Sequence, residues 1–138
     1  MQLPQVSFDR VLLTGATGVL GAHIMKELLA TTDTEVFCLV RAESIDHARQ
    51  RLLSFLRVYD PQDKLHAEFL ARVKPILGDV TDPLLGQTEV QYKQLAEMTD
   101  VIIHSAAFTN LFARYSKVEP INVGGTRNVI RFSLSTPN

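Results

Sequence analysis

The chain has 138 residues, 46% of them apolar and 21% charged, a size and balance that favour one compact soluble domain able to bury its own core. A formal net charge of -1 removes the electrostatic drive toward nucleic acid or an anionic membrane. No apolar run approaches the roughly 18 residues a bilayer span requires. The one cysteine, Cys38, excludes an intrachain disulfide, and Met1 to Arg10 carries no apolar signal segment, so a reducing, cytoplasmic setting is expected.

In chain order, Arg10 to Leu13 is a short apolar run that stops at Thr14-Gly15 and predicts a buried strand. Val19 to Ala30 places Leu20, Ile24, Leu28 and Leu29 at helical spacing. Val36 to Val40 predicts a second strand, followed at once by Arg41. Ser44 is placed to cap a helix whose apolar face is Ala48, Leu52, Leu53 and Leu56. Asp60-Pro61 breaks it, and Asp63 to Ala71 adds a helical turn or two. Val73 to Leu77 predicts a third strand, which Pro75 assigns to a sheet edge. Asp79 to Glu89 is expected to be loop, Tyr92 to Met98 helix and Val101 to His104 a fourth strand. One long helix is expected from Ser116 to Ser135, carrying Val118, Ile121, Val129, Ile130 and Phe132. Short continuous apolar strands alternating with helices predict an α/β fold: a Rossmann-type doubly wound parallel sheet, here with about four βα units in one domain over residues 1–138.

The segment Thr14-Gly15-Ala16-Thr17-Gly18-Val19-Leu20-Gly21 lies where the first strand gives way to the first helix. Gly15 permits the sharp turn, Gly18 permits close approach of a pyrophosphate, and Gly21 permits close packing of the helix. Free N–H groups and the helix dipole favour bound phosphate there. A tight turn without ligand is the plainer alternative, but three glycines in one turn carry an entropic cost that a mere connection does not need. A nicotinamide dinucleotide is therefore expected. NAD-binding folds commonly place an acid about 20 residues after the glycine turn to hold the ribose 2′-OH. Here the second strand ends in Arg41, whose guanidinium suits a 2′-phosphate and indicates NADPH. Arg51 is a second phosphate contact if its helical turn faces the site, and otherwise a solvated charge.

Thr14-Gly15-x-x-Gly18-x-x-Gly21, Leu39-Val40-Arg41-Ala42, Gly78-Asp79-Val80, His104-Ser105-Ala106-Ala107 and Asn122-Val123-x-Gly125-Thr126 occur in that order. Together they resemble the extended short-chain dehydrogenase/reductases, and within them the thioester-reductase group of the NAD-binding "male sterility" type. That group includes reductase domains of nonribosomal peptide and polyketide synthases, carboxylic acid reductases, aminoadipate reductases and fatty acyl-CoA reductases. The resemblance implies that Thr14 to Leu20 wrap the pyrophosphate and Arg41 binds the 2′-phosphate. It implies Asp79 and Val80 at the adenine, and Ser105, Ala106 and Ala107 beside the ribose and nicotinamide. It also implies reduction of a thioester on an acyl carrier domain or CoA to an aldehyde or alcohol. Asp79 as a turn-former and Ala106-Ala107 as close packing are the plainer alternatives. His104 is expected to be a packed strand-end residue, Cys38 an inert core residue, and Asn122 a structural or relay residue.

Two departures stand out. The stretch Phe108 to Tyr115 lacks the tryptophan common in that group, and Tyr115 is followed four residues later by Glu119 rather than Lys. No Tyr-x-x-x-Lys pair occurs before Asn138, about where a fifth strand is expected, so no catalytic and no metal-binding residue is assigned. The fourth strand would then be an open apolar edge, and homo-association through it is expected. A sugar-nucleotide epimerase or dehydratase on the same fold is an alternative that Arg41 opposes; a non-catalytic dinucleotide-binding module is another.

Overall fold

The computed structural model describes residues 8–137. Four strands, β1 (Arg10–Thr14), β2 (Glu35–Val40), β3 (Val73–Leu77) and β4 (Val101–His104), form one sheet in the order β3-β2-β1-β4. Every neighbouring pair is parallel, with Leu13 opposite both Cys38 and Ile103. β1 and β2 are central and buried almost throughout, as a sheet covered on both faces requires. β3 lies at the outer edge, so Pro75, which has no N–H to donate, leaves no gap in the ladder. β4, at the other end, pairs only with β1 among the described residues.

Side-chain alternation sorts the core into two layers. Val11, Leu13, Val36, Cys38 and Val40 face Met25, Leu28 and Leu29 of α1 (Val19–Thr31), Ala48, Leu52 and Leu56 of α2 (Ile45–Tyr59), and Phe69 of α3 (His66–Arg72). Leu12, Phe37 and Leu39 face the other way. They meet Tyr92, Leu95 and Ala96 of α4 (Glu89–Met98), together with Val129 and Phe132. Tyr92 and Phe132 join edge-to-face with centroids 5.1 Å apart. Cys38 is fully buried, and burial pushes its thiol up to about 12, as suits an inert core residue.

Local chemistry sets the helix ends. The Ser44 hydroxyl accepts from the His47 N–H at 3.1 Å and caps α2 as expected. α4 begins at Glu89, three residues earlier than expected, because Thr88 and Gln91 form a reciprocal capping box. The expected single helix from Ser116 to Ser135 is three pieces: α5 (Tyr115–Glu119), a π-helical turn (Pro120–Gly125) and α6 (Thr126–Ser133). Pro120 cannot donate the backbone bond of a regular helix, and the widened turn absorbs the loss. The buried face of α6 is Asn128, Val129 and Phe132, whereas Ile130 points outward. The Asn128 amide donates to the Val80 carbonyl at 2.9 Å, which ties α6 to the loop after β3.

The turn after β1 is the tightest junction. Gly15 adopts φ +75, and a Cβ on Gly21 would lie 2.0 Å from the Gly15 carbonyl oxygen. Gly21 thus packs against the turn itself, which locks the start of α1 onto the end of β1. Helix propensity alone would make Gly21→Ala stabilising by about 1 kcal/mol. The collision reverses the sign, and we expect a loss of about 3 kcal/mol, read as a lower melting temperature; an unchanged or higher one would contradict this packing.

Candidate functional site

A cleft of about 320 Å³ opens at the C-terminal ends of the strands, within the range of small-molecule sites and where open α/β sheets bind ligands. Its walls follow the strand order. Gly78, Asp79 and Val80 come from beyond β3, and Leu39, Val40 and Arg41 from the end of β2. Thr14, Gly15, Thr17 and Gly18 come from the turn after β1, and Ser105 to Phe108 from beyond β4. Arg51 reaches in from α2 and Ile121 from the π-helical turn.

The floor is the glycine turn. Gly18 is the residue before α1 and offers no side-chain cap, and the first turn holds no acidic residue. The first N–H groups and the positive helix end are therefore free to meet an anion. Val19 and Leu20 are 77% and 64% exposed, unusual for large apolar residues at a helix start. They stand at the cleft's rim rather than lining it, and Gly21 lies beneath the turn. Ala16 is buried, its methyl packed into the core below.

Two cations meet at the β2 end. The Arg51 guanidinium donates to the Arg41 carbonyl, so α2 braces the segment that carries Arg41. The Arg41 side chain is 73% exposed, with Nη1 4.0 Å from Asp79 Oδ2. Asp79 Oδ1 accepts from the N–H and hydroxyl of Thr81 at 2.9 and 2.8 Å. One carboxylate oxygen therefore shapes the turn while the other faces Arg41, so both roles considered for Asp79 are available to it. Val80 packs against Gly125, where a Cβ would come within 2.9 Å of its Cγ2.

The β4 end is held by polar contacts over long sequence separations. Thr14 Oγ1 lies 2.7 Å from His104 Nδ1 and accepts from the Ala106 N–H at 3.2 Å. His104 Nε2 lies 3.3 Å from Thr126 Oγ1. Burial pushes the His104 ring below its ordinary value. The Asn122 side chain accepts from the Phe108 N–H at 2.7 Å and donates to the Phe108 carbonyl at 3.0 Å, which fixes the chain leaving the cleft. Ser105 Oγ is buried without a hydrogen-bond partner among the described residues, a deficit that a ligand hydroxyl or amide can correct.

Of the residues picked from the sequence, Thr14, Gly15, Thr17, Gly18, Arg41, Arg51, Asp79, Val80, Ser105, Ala106 and Ala107 converge on this cleft. Ala16, Val19, Leu20 and Gly21 shape or rim the turn instead. Leu39, Val40, Gly78, Phe108 and Ile121 also line the cleft and were missed. Leu39, Val40 and Gly78 lie within the recognised segments, and Phe108 and Ile121 stand directly beside them. Among the described residues no cluster of His, Cys, Asp and Glu is arranged to hold a metal, and no helix is long and apolar enough to cross a membrane.

A family model described as male sterility protein, for an NAD-binding domain, matches residues 13–138. The isonitrile lipopeptide synthase of Mycobacterium tuberculosis is 41% identical over 137 residues, which cover 96% of this chain and 5% of that protein. The terminal R domain of the myxalamid PKS-NRPS biosynthetic pathway superposes with a TM-score of 0.84 at 35% identity, covering 94% of this chain and 32% of that one. A thiolation-reductase di-domain of an archaeal non-ribosomal peptide synthetase gives 0.79 at 30% identity, over 96% of this chain and 27% of that one. The chain thus spans a small fraction of the curated synthase and a third or less of each reductase structure. With its Rossmann-like parallel sheet and a match over nearly its whole length, the chain belongs to the male sterility protein family of NAD-binding domains.

Proposed function

We propose that the chain is the NADPH-binding part of a reductase that converts a thioester, carried on an acyl carrier domain or CoA, to an aldehyde or alcohol. The observation that carries the reading is the order of groups along the cleft. A carboxylate and two guanidiniums lie at the β3 and β2 ends, an uncapped helix N-terminus at β1, and an orphaned hydroxyl beyond β4. This order matches a dinucleotide laid across the sheet, with its adenosine half over β2 and β3 and its nicotinamide half over β4.

In that arrangement the backbone from Thr14 to Leu20 holds the pyrophosphate, with Gly18 leaving room for it. Arg41 grips the 2′-phosphate by charge-assisted hydrogen bonds, and Arg51 adds charge while bracing the Arg41 backbone. Asp79 and Val80 form the adenine side. Ser105, Ala106 and Ala107 border the ribose and nicotinamide, where small side chains admit the ring and the Ser105 hydroxyl gains a partner. The bound cofactor supplies hydride, and these residues orient it toward the acyl carbonyl. The thioester assignment is supported by similarity to reductase domains of peptide and polyketide synthases, one of them joined to a thiolation domain.

Parallel titrations with NADPH and NADH test the cofactor assignment. NADPH is expected to bind more tightly, and Arg41→Ala to weaken it by about tenfold, the scale of one charge-assisted hydrogen bond, while leaving NADH unaffected. Equal or tighter NADH binding would overturn it. We also propose that the edge of β4 left unpaired among the described residues pairs two copies of this chain, since its backbone groups form a template for another strand. Sedimentation at tens of micromolar, within the concentration range of association through open edges, is expected to show a dimer or larger species; a monomer would contradict this.

A further inference from the structure

Three hydroxyl and imidazole groups between the glycine turn and the distorted helix form a chain whose proton directions can be worked out. The Thr126 hydroxyl lies 2.7 Å from the Asn122 carbonyl oxygen, which can only accept, so its single proton is committed there. His104 Nε2 faces the same Thr126 oxygen and must therefore carry a proton to make its bond. In a neutral ring Nδ1 is then bare and accepts from the Thr14 hydroxyl at 2.7 Å. Thr14 Oγ1 in turn keeps a lone pair for the Ala106 N–H. Every donor finds an acceptor with the ring neutral. Adding a proton at Nδ1 would displace the Thr14 proton and leave it with no acceptor among the described residues.

We propose that His104 is a positioning residue of the dinucleotide site: a neutral ring, protonated at Nε2 by the demand of Thr126, that fixes the Thr14 hydroxyl and through it the wall from Ser105 to Ala107. The proposal rests on the dinucleotide reading for its purpose, but not for its geometry. Thr14 immediately precedes Gly15, and a Cβ on Gly15 would lie 2.6 Å from Ala106 N and 2.8 Å from Ser105 Oγ. A change in the Thr14 hydroxyl therefore reaches the phosphate turn and the opposite wall of the cleft together. The fall of the ring below its ordinary value through burial agrees with a neutral state. The charged residues on the elements packed against β4 are Arg10 on β1 and Arg127 and Arg131 on α6; none hydrogen-bonds to the ring.

Long-range proton–nitrogen NMR correlations of the histidine rings, recorded on the whole chain with and without NADP⁺, test the proposal. The wild type is expected to show His104 as a single Nε2–H tautomer at neutral pH. Thr126→Val removes the group that dictates the proton's place, and is expected to give a mixture of both tautomers. It should also weaken NADP⁺ binding by about fivefold, the scale of one neutral hydrogen bond. Thr126→Ser, which keeps the hydroxyl, restores both the single tautomer and the affinity. A wild-type ring protonated at Nδ1, or a Thr126→Val ring that stays wholly Nε2–H with unchanged affinity, would overturn the proposal. Failure of the wild type to bind NADP⁺ would instead sink the dinucleotide reading, and the positioning role with it, while the tautomer measurement still decides the direction of the proton chain.

Discussion

The close contact of the Gly15–Gly21 turn with its neighbours is the constraint on which the rest of the molecule depends. The Gly15 carbonyl sits against Gly21 in the first turn of α1, and the Gly15 Cα against the backbone of Ser105 and Ala106. These contacts join the end of β1, the start of α1 and the exit of β4 at one point. That point is both a junction with no room for a side chain and the floor of the cleft. Side chains are excluded there because the protein's own backbone needs the space, and the same exclusion leaves room for the phosphates of the proposed dinucleotide.

The parallel sheet extends this local device into a cleft along the strand ends. Adjacent strands lie roughly 4.8 Å apart, and each ends on the same side, so the residue just past each strand takes a place in a row. Asp79, Arg41, Gly15 and Ser105 are out of sequence order but follow one another along the cleft because the strands run β3-β2-β1-β4. The helices supply the second tier of support. Arg51 braces Arg41 from α2, Asn128 holds Val80 from α6, and Asn122 clamps Phe108 from the π-helical turn. These contacts anchor to the helices the loops that carry the cleft's residues.

Much of this was legible in the sequence where the signal is local. β1, β2, the glycine turn and Arg41 are contiguous motifs; the structure has the two strands as strands and brings the turn and Arg41 to one cleft. Thr88-x-x-Gln91 is also a local signal, a capping box, but Pro83 and the turn residues before it suggested loop. The helix expected from Ser116 to Ser135 failed as one regular element because apolar spacing does not register the missing N–H of Pro120. Helical spacing itself turns Ile130 away from the face shared by Asn128, Val129 and Phe132. His104 was the hardest to read. Its partners Thr14 and Thr126 lie 90 and 22 residues away, and nothing near it in the chain marks a hydrogen-bonded ring rather than a packed one.

The central claim is that one row of strand ends holds an extended dinucleotide, with its phosphates at the start of α1. Backbone amide chemical shifts of the chain during an NADP⁺ titration test it most directly. The account predicts saturable changes at Gly18, Val19 and Leu20, at Arg41 and Arg51, and at Ser105 to Ala107, all with one dissociation constant. Changes confined to the exposed cations, with the amides at the start of α1 unmoved, would contradict it.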